Sequence, residues 1–325
     1  MRILNASAVA QALSHSDCID ALEAAMQAVS NDGTIMPLRQ YMDIPGGEGK
    51  FTLMPGYLNN PTSFGVKIVS KFPREPDSPY GSHVGAVVVF DPDLGIPLAI
   101  MDAAELTAIR TASASALATK ILARKNSEVL TILGTGAEAL HHARSIVCVR
   151  EITAIRIWGR TREHAEKLAG TIKEELGVAV EVMSSVQEAI RDADIVCTTT
   201  SAKKPFLKGE WLTPGTHVNL VGAAVISAAE ADTDVVTRSR FFVDSRASAM
   251  AQAGELNAAI KAGLVDETHV LAELGELLQA PKTGRLTDQD ITVYKSLGVV
   301  AQDLAAGLKA YEAAQVANIG MELDW

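Results

Sequence analysis

The sequence predicts an α/β protein: a doubly wound parallel sheet joined to a discontinuous α+β domain. Three observations carry this. From Val129 onward, short apolar runs alternate regularly with helical stretches, the pattern of strands linked by crossover helices. Before Pro97 the chain instead shows β-like runs broken by Pro, Gly and Asp clusters, as in antiparallel hairpins. After Gly298, an apolar helix returns to the first type of neighbourhood, so the first domain draws on both chain ends. The expected division is residues 1–112 with 299–325 for one domain and 113–298 for the other.

The elements follow in order. Ser16 is placed to cap a first helix in which Ile19, Leu22, Met26 and Val29 repeat at helical spacing, ended by Asn31-Asp-Gly33. Phe51–Met54, Gly65–Ser70 and Val84–Phe90 read as strands, and Asp91-Pro-Asp-Leu-Gly95 as a hairpin turn into Ile96–Met101. Ala103–Arg124 is an Ala/Leu-rich helix of high propensity. Strands are expected at Val129–Leu133, Ala154–Trp158, Ala179–Met183, Ile195–Thr199, His217–Val221 and Phe241–Asp244, with helices at Thr161–Leu176 and after the capping box Ser185-Val-Gln-Glu188. The last helix, Leu297–Ala317, is read as apolar on one face and packed on the N-terminal domain.

Val129–Leu133 runs directly into Gly134-Thr135-Gly136-Ala137-Glu138-Ala139. A glycine turn between an apolar strand and a helix places a dinucleotide pyrophosphate on the positive end of that helix. Gly134 allows the turn, Gly136 lets backbone amides approach the phosphates, and Ala139 lets helix pack on strand. The strand before the motif and the helix and strand after it supply the context that a lone Gly-x-Gly-x-x-Ala lacks, so the sheet is of Rossmann type. The next strand ends in Gly159-Arg160-Thr161-Arg162, without the acid that would hold a ribose 2′-hydroxyl and repel a 2′-phosphate. Arg160 suits that phosphate and Thr161 can cap the following helix, so NADPH is expected, with NADH the alternative; Arg162 reads as a solvated helix start.

Bulk properties bound the rest. The 325 residues suffice for two domains with their own cores. An excess of 39 acidic over 29 basic residues, net −10, disfavours nucleic acid or an anionic membrane as partner. The runs Gly85–Phe90 and Val218–Val225 are too short to cross a bilayer, and no basic-then-apolar leader opens the chain, so a cytoplasmic location is expected. Cys18, Cys148 and Cys197 lack metal-type spacing and read as buried reduced thiols; no metal is expected.

A series of motifs spans nearly the whole chain: Met36-Pro-Leu-Arg39, Leu53-Met-Pro55, Lys67, Ser82-His83, Thr107-Ala-Ile-Arg110-Thr111-Ala112, Gly134-x-Gly136, Trp158-Gly-Arg-Thr161, Gly209-Glu-Trp211, Val221-Gly-Ala223, Phe242-Val-Asp-Ser245 and Lys295-Ser-Leu-Gly298. In these the chain resembles the ornithine cyclodeaminase/μ-crystallin family. Ile157-Trp-Gly-Arg-Thr161 and Ser184-Ser-Val-Gln-Glu188 are most similar to its ketimine reductases. The resemblance implies a homodimer formed through the N-terminal strands. It also implies a carboxylate-binding trio at Arg39, Lys67 and Arg110, with Lys67 and Arg110 catalytic, and substrate contacts at Thr52 and His83. A structural histidine at the strand start is as good a reading of His83. Around the nicotinamide it implies Thr198, Thr199, Val221, Gly222, Lys295, Leu297 and Gly298. The trio is chemically reasonable: a 2-imino acid carries a carboxylate beside the carbon that receives hydride, and arginine grips carboxylates bidentately.

Two departures separate this chain from ornithine cyclodeaminases. They carry Glu before Leu-Met-Pro, where this chain has Thr52, and an acid in a Gly-x-Asp-x-Pro-Gly segment, where it has Ala224. Losing a general base typically costs ~10²–10⁴-fold. Ketimine reductases usually place a small polar residue, often Ser, at the position of Ala224, so the proton donor is assigned to Lys67 or an ordered water. The expected activity is NAD(P)H-dependent reduction of 2-imino acids, foremost cyclic ketimines such as Δ1-pyrroline-2-carboxylate or Δ1-piperideine-2-carboxylate. The alternatives are an amino-acid dehydrogenase on an open-chain imine, for which Arg74 in Lys71–Ser78 would meet a second carboxylate, an ornithine cyclodeaminase, and a non-catalytic NADPH-binding crystallin.

Overall fold

The computed structural model describes residues 1–46, 49–73, 81, 84–279 and 284–324. In chain order the elements are β1 (Arg2–Leu4), α1 (Ala6–Ala12), α2 (His15–Ser30), β2 (Thr34–Ile35), β3 (Gln40–Asp43), β4 (Lys50–Asn59), β5 (Thr62–Lys71), β6 (Val84–Phe90), β7 (Pro97–Asp102) and α3 (Ala103–Leu122). There follow β8 (Val129–Leu133), α4 (Ala137–Ile146), β9 (Ala154–Trp158), α5 (Arg162–Leu176), β10 (Ala179–Val182), α6 (Val186–Ile190), β11 (Ile195–Thr198), β12 (His217–Leu220), α7 (Thr233–Thr237) and β13 (Arg240–Val243). The last are α8 (Arg246–Gln252), α9 (Gly254–Lys261), β14 (Val270–Glu273), α10 (Leu274–Leu278), β15 (Thr292–Lys295), α11 (Val300–Ala317) and β16 (Met321–Glu322). The chain forms two compact units, Met1–Arg110 with Val299–Trp325, and Thr111–Gly298.

In the first unit β4 to β7 form an antiparallel meander, extended at one side by β1 and β16 and at the other by β2 and β3, both of which pair with β4. Helix α11 packs on β4, β5 and β6 and against α2. Gly56 and Gly65 lie opposite each other in β4 and β5. A Cβ on Gly56 would come within 2.4 Å of Val300, and one on Gly65 within 2.9 Å of Leu304, so this glycine pair lets the helix settle on the sheet. All eight residues from Val300 to Gly307 are buried, so the start of α11 is enclosed on every side rather than apolar on one face. It begins at Val300, not Leu297, because Leu297 and Gly298 are held in a turn with Gly298 at φ +77°.

The helix expected to start after Ser16 starts two residues earlier, at His15. Ser14 is its cap, accepting the Asp17 amide at 3.0 Å, and Ser16 lies inside the first turn. The β-like runs before Pro97 are longer than expected, since β4 and β5 each span ten residues.

The second unit is an all-parallel eight-stranded sheet in the order β10-β9-β8-β11-β12-β15-β13-β14. Two of its strands, β14 and β15, were not anticipated. Thr292–Lys295 is buried at every residue and inserts between β12 and β13, and four residues of unbroken burial carry no strand alternation. The strand order reverses between β8 and β11, the place where open α/β sheets bind ligands beyond their carboxyl ends. The Ser185 hydroxyl accepts the Glu188 amide, but the Glu188 carboxylate takes the Ser184 hydroxyl, so the reciprocal half of the expected capping box is replaced. Among the cysteines, Cys18 and Cys197 are buried, whereas Cys148 is exposed just past the end of α4. No helix among the described residues is long and apolar enough to cross a membrane.

Candidate functional sites

The first unit gathers charge in its core. Lys67 sits mid-strand on β5, Arg110 ends the first unit on α3, and Asp303 lies in the enclosed first turns of α11; all three are buried. One carboxylate oxygen, Asp303 Oδ1, accepts from Lys67 Nζ at 3.0 Å and from Arg110 Nε at 2.9 Å. Gln302 Oε1 accepts from Arg110 Nη1 at 2.8 Å, fixing the guanidinium plane. Burial pulls the Lys67 ammonium down to about 8 against the attraction of Asp303, and Arg110 and Arg39 add to the depression. Burial would raise the Asp303 carboxyl, but Arg110 and Lys67 outweigh it and hold it below the usual carboxylate range.

Arg39, half-buried ahead of β3, acts electrostatically on Lys67 and also lowers Lys71 at the end of β5, second to burial. The expected trio is therefore electrostatically coupled. Thr52 is buried on β4 opposite Val69, two positions along from the Met54–Lys67 pair, so its side chain shares the face that carries Lys67. His83 and Arg74 lie outside the described residues. Asp303 and Gln302 were missed because an acid and an amide within an Ala-rich helix give no local signal of what they pair with.

The second unit builds a cradle at the strand-order reversal. Gly134, at φ +135°, follows β8, and a Cβ there would meet the Thr199 hydroxyl at 2.5 Å and its carbonyl at 2.7 Å. Thr199 in turn donates its amide to Leu133 at 2.8 Å, joining the ends of β8 and β11. Gly136 caps α4 without any side-chain cap, and a Cβ on it would meet nothing within 4 Å. Thr135 packs on Gly159, Ala137 opens the helix, and the carboxylate of Glu138 stands 3.6 Å from His142. An uncapped helix start with open space before its backbone amides fits a dinucleotide pyrophosphate.

Arg160 is exposed past the end of β9 and makes no hydrogen bond or ion pair among the described residues. Thr161 occupies the cap position of α5, but its hydroxyl makes no capping bond, contrary to the expected role. Arg162 pairs with Glu166 one turn on, the solvated helix start anticipated for it.

At the ends of β11, β12 and β15, buried acids organise the backbone. Glu230 accepts the Thr198 hydroxyl, the Thr200 amide and hydroxyl, and the Gly222 amide, at 2.6–2.7 Å. Its own amide donates to Glu255, whose other oxygen stands 3.0 Å from Lys295 Nζ. Asp244 Oδ2 accepts both the Leu297 and Gly298 amides, at 2.8 and 2.7 Å. Lys295 is thus an internal ion-pair partner rather than a side chain offered to a ligand, and the two amides beyond it already have an acceptor. Val221 is buried, Gly222 exposed and Ala224 half-buried. Thr198, Thr199, Val221 and Gly222 were expected beside the nicotinamide, whereas Glu230 and Glu255, and the bonding role of Asp244 within the Phe242–Ser245 motif, carried no local signal. No group of three or more His, Cys, Asp or Glu placed to hold a metal occurs among the described residues.

A parallel sheet with a glycine cradle at its reversal, joined to an α+β unit with a buried cationic cluster, defines a Rossmann-type α/β protein. The sequence profile of the ornithine cyclodeaminase/mu-crystallin family matches residues 1–318, and the chain belongs to that family. It is 37% identical over 302 residues to the ketimine reductase mu-crystallin of Mus musculus, covering 92% of each chain. The structure of Thermococcus litoralis Δ1-pyrroline-2-carboxylate reductase in complex with NADH and L-proline superposes with a TM-score of 0.95 at 32% identity, over 99% of this chain and 100% of that one. An archaeal alanine dehydrogenase dimer with bound NAD gives a TM-score of 0.92 at 30% identity, over 100% and 99%.

Proposed function

We propose that the protein is an NADPH-dependent reductase of 2-imino acids, foremost the cyclic ketimines Δ1-pyrroline-2-carboxylate and Δ1-piperideine-2-carboxylate, yielding L-proline and L-pipecolate. The observation that carries this reading is the buried Lys67–Asp303–Arg110 cluster with Arg39 in electrostatic reach, in a chain that also holds the glycine cradle. The names of the mouse and Thermococcus relatives support the reaction class.

When bound, the nicotinamide supplies a hydride to the imine carbon. Arg110 and Arg39 hold the substrate carboxylate and fix that carbon in place. Lys67 carries a proton that is mobile near neutral pH and passes it from Nζ to the imine nitrogen, so C=N becomes CH–NH. Thr52 and Ala224, unable to act as bases, leave the amine in place, which favours reduction over cyclodeamination.

The preference for NADPH rests on Arg160, exposed and without a partner among the described residues, at the strand end where a 2′-phosphate would lie. A homodimer is supported by the apolar edge of the first unit's sheet, where Ile35, Leu38, Tyr41 and Met42 are each more than half exposed.

The test is NADPH oxidation across a panel of cyclic and open-chain imines, with ornithine included. Turnover of the cyclic imines is expected. Conversion of ornithine to proline with ammonia release and no net NADPH use would overturn the reading, as would stoichiometric NADPH binding without oxidation on any imine.

A further inference from the structure

Asp303 has no role in the reaction as just described, yet it is the only described group that touches both Lys67 and Arg110. It is fully enclosed, and it joins three elements distant in sequence: β5, α3 and α11. Both cations converge on Oδ1, while Oδ2 is buried and has no hydrogen-bond partner among the described residues. An acid serving only to neutralise a core charge would be expected to use both oxygens, since a buried unpaired acceptor costs on the order of 1–3 kcal/mol.

We propose that Asp303 is the positioning residue of the carboxylate site: through its single shared oxygen it fixes the Lys67 ammonium and the Arg110 guanidinium in one arrangement and keeps Lys67 charged inside the core. The inference rests on the imine-reductase reading for its place in a reaction, but the arrangement itself is a property of the first unit.

Without an anion beside it, the enclosed ammonium would lose its proton at a lower pH still, since burial is the largest influence on Lys67. Arg110 and Arg39 push the same way, so Asp303 is the one group opposing three. The groups acting on Asp303 itself are Arg110 and Lys67, and Gln302 beside it is neutral. Geometrically, an Nε–Oδ1 bond and an Nη1–Gln302 bond define the guanidinium plane, and neither uses Nη2. The Nη2 donors are left for a substrate carboxylate.

The experiment measures binding of pyrrole-2-carboxylate, a ring carboxylate with no basic nitrogen, to the full-length protein with NADPH from pH 6 to pH 10, alongside kcat/KM for the cyclic imine. In the native protein both are expected to weaken as pH rises through about 8, with loss of the Lys67 ammonium. In Asp303→Asn that limb is expected to move down by about one pH unit or more. Asp303→Glu, which keeps the charge, restores it toward the native position. Lys67→Arg removes the limb, because a guanidinium does not titrate there. NADPH affinity, read separately, stays native in all three.

A limb that stays in place in Asp303→Asn while NADPH binding is intact overturns the inference. So does a limb that survives unchanged in Lys67→Arg. If Asp303→Asn fails to fold, Asp303→Glu decides: a limb kept near its native position while ring-carboxylate binding below it weakens by about tenfold supports positioning, and native ring-carboxylate binding or a lost limb overturns it. Ring-carboxylate binding with the expected profile but no imine reduction would overturn the proposed function and leave the role of Asp303 standing.

Discussion

Glu230 accepts the Gly222 amide on one carboxylate oxygen at 2.6 Å and the Thr200 amide on the other at 2.7 Å. The ends of β11 and β12 are thereby tied through one buried acid. The arrangement predicts that Glu230→Gln is not conservative. Whichever way the amide is turned, its NH₂ faces a backbone N–H, and a backbone donor cannot reverse its role as a hydroxyl can. About 1–3 kcal/mol of lost and repelled bonding follows, read as roughly 10–100-fold weaker NADPH binding in a fluorescence titration. Native affinity would show that the acid does not shape the cofactor site.

The two glycines of the cradle have separable roles. Gly134→Ala forces a Cβ against Thr199 at positive φ, so the variant is expected to lose about 2 kcal/mol or more of stability along with NADPH binding. Gly136→Val places its side chain in open space, so its melting temperature is expected to stay near native while NADPH affinity falls at least tenfold. Thermal melts with and without NADPH distinguish the two; a Gly136→Val protein with native cofactor affinity contradicts the cradle.

Arg160→Ala is expected to lower kcat/KM for NADPH by roughly 10–100-fold and leave NADH nearly unchanged, because only NADPH carries the 2′-phosphate that Arg160 would meet. An unchanged ratio between the two cofactors removes Arg160 from the assignment.

Arg110→Leu is expected to reduce imine turnover by roughly 10²-fold or more while NADPH affinity is kept. Loss of cofactor binding in parallel would contradict the placement of Arg110 in the carboxylate site.

His217 predicts acid sensitivity. It is fully buried on β12, its Nδ1 3.0 Å from the Thr292 hydroxyl, and burial, followed by Arg285, pulls it down to about 3. The unfolded chain takes up a proton near pH 6.5, whereas the folded chain does not until about pH 3. This group therefore contributes stability that is fully present above pH 6.5 and lost as pH falls through that window. Between pH 7 and pH 5 the loss is on the order of 2 kcal/mol. Denaturant unfolding at the two pH values measures it, and His217→Asn should flatten the difference; an equal drop in both proteins rules His217 out as the cause.

Much of the second unit was legible in the sequence because its signals are local. Val129–Leu133 and Ala154–Trp158 are apolar runs bounded by glycine, and a turn such as Gly134–Gly136 permits few conformations. The paired glycines Gly56 and Gly65 were not readable, since their use depends on a helix from the other end of the chain. Ser14 displaced Ser16 as cap because two serines compete within one turn and Asp17 satisfies only the first.

By itself the sequence determined the strand–helix alternation and the Gly134–Gly136 turn, each through neighbouring residues whose conformational preferences add up along the chain, while Arg39, Lys67 and Arg110 were implied by the family resemblance. Tertiary structure alone decided which charges meet. Lys67 and Asp303 are 236 residues apart, Lys295 and Glu255 lie on different elements, and Glu230 gathers donors from two segments, Thr198–Thr200 and Gly222. Hydrophobic periodicity is written in spacing, but a buried charge is stable only beside its partner, and nothing in the flanking residues names that partner.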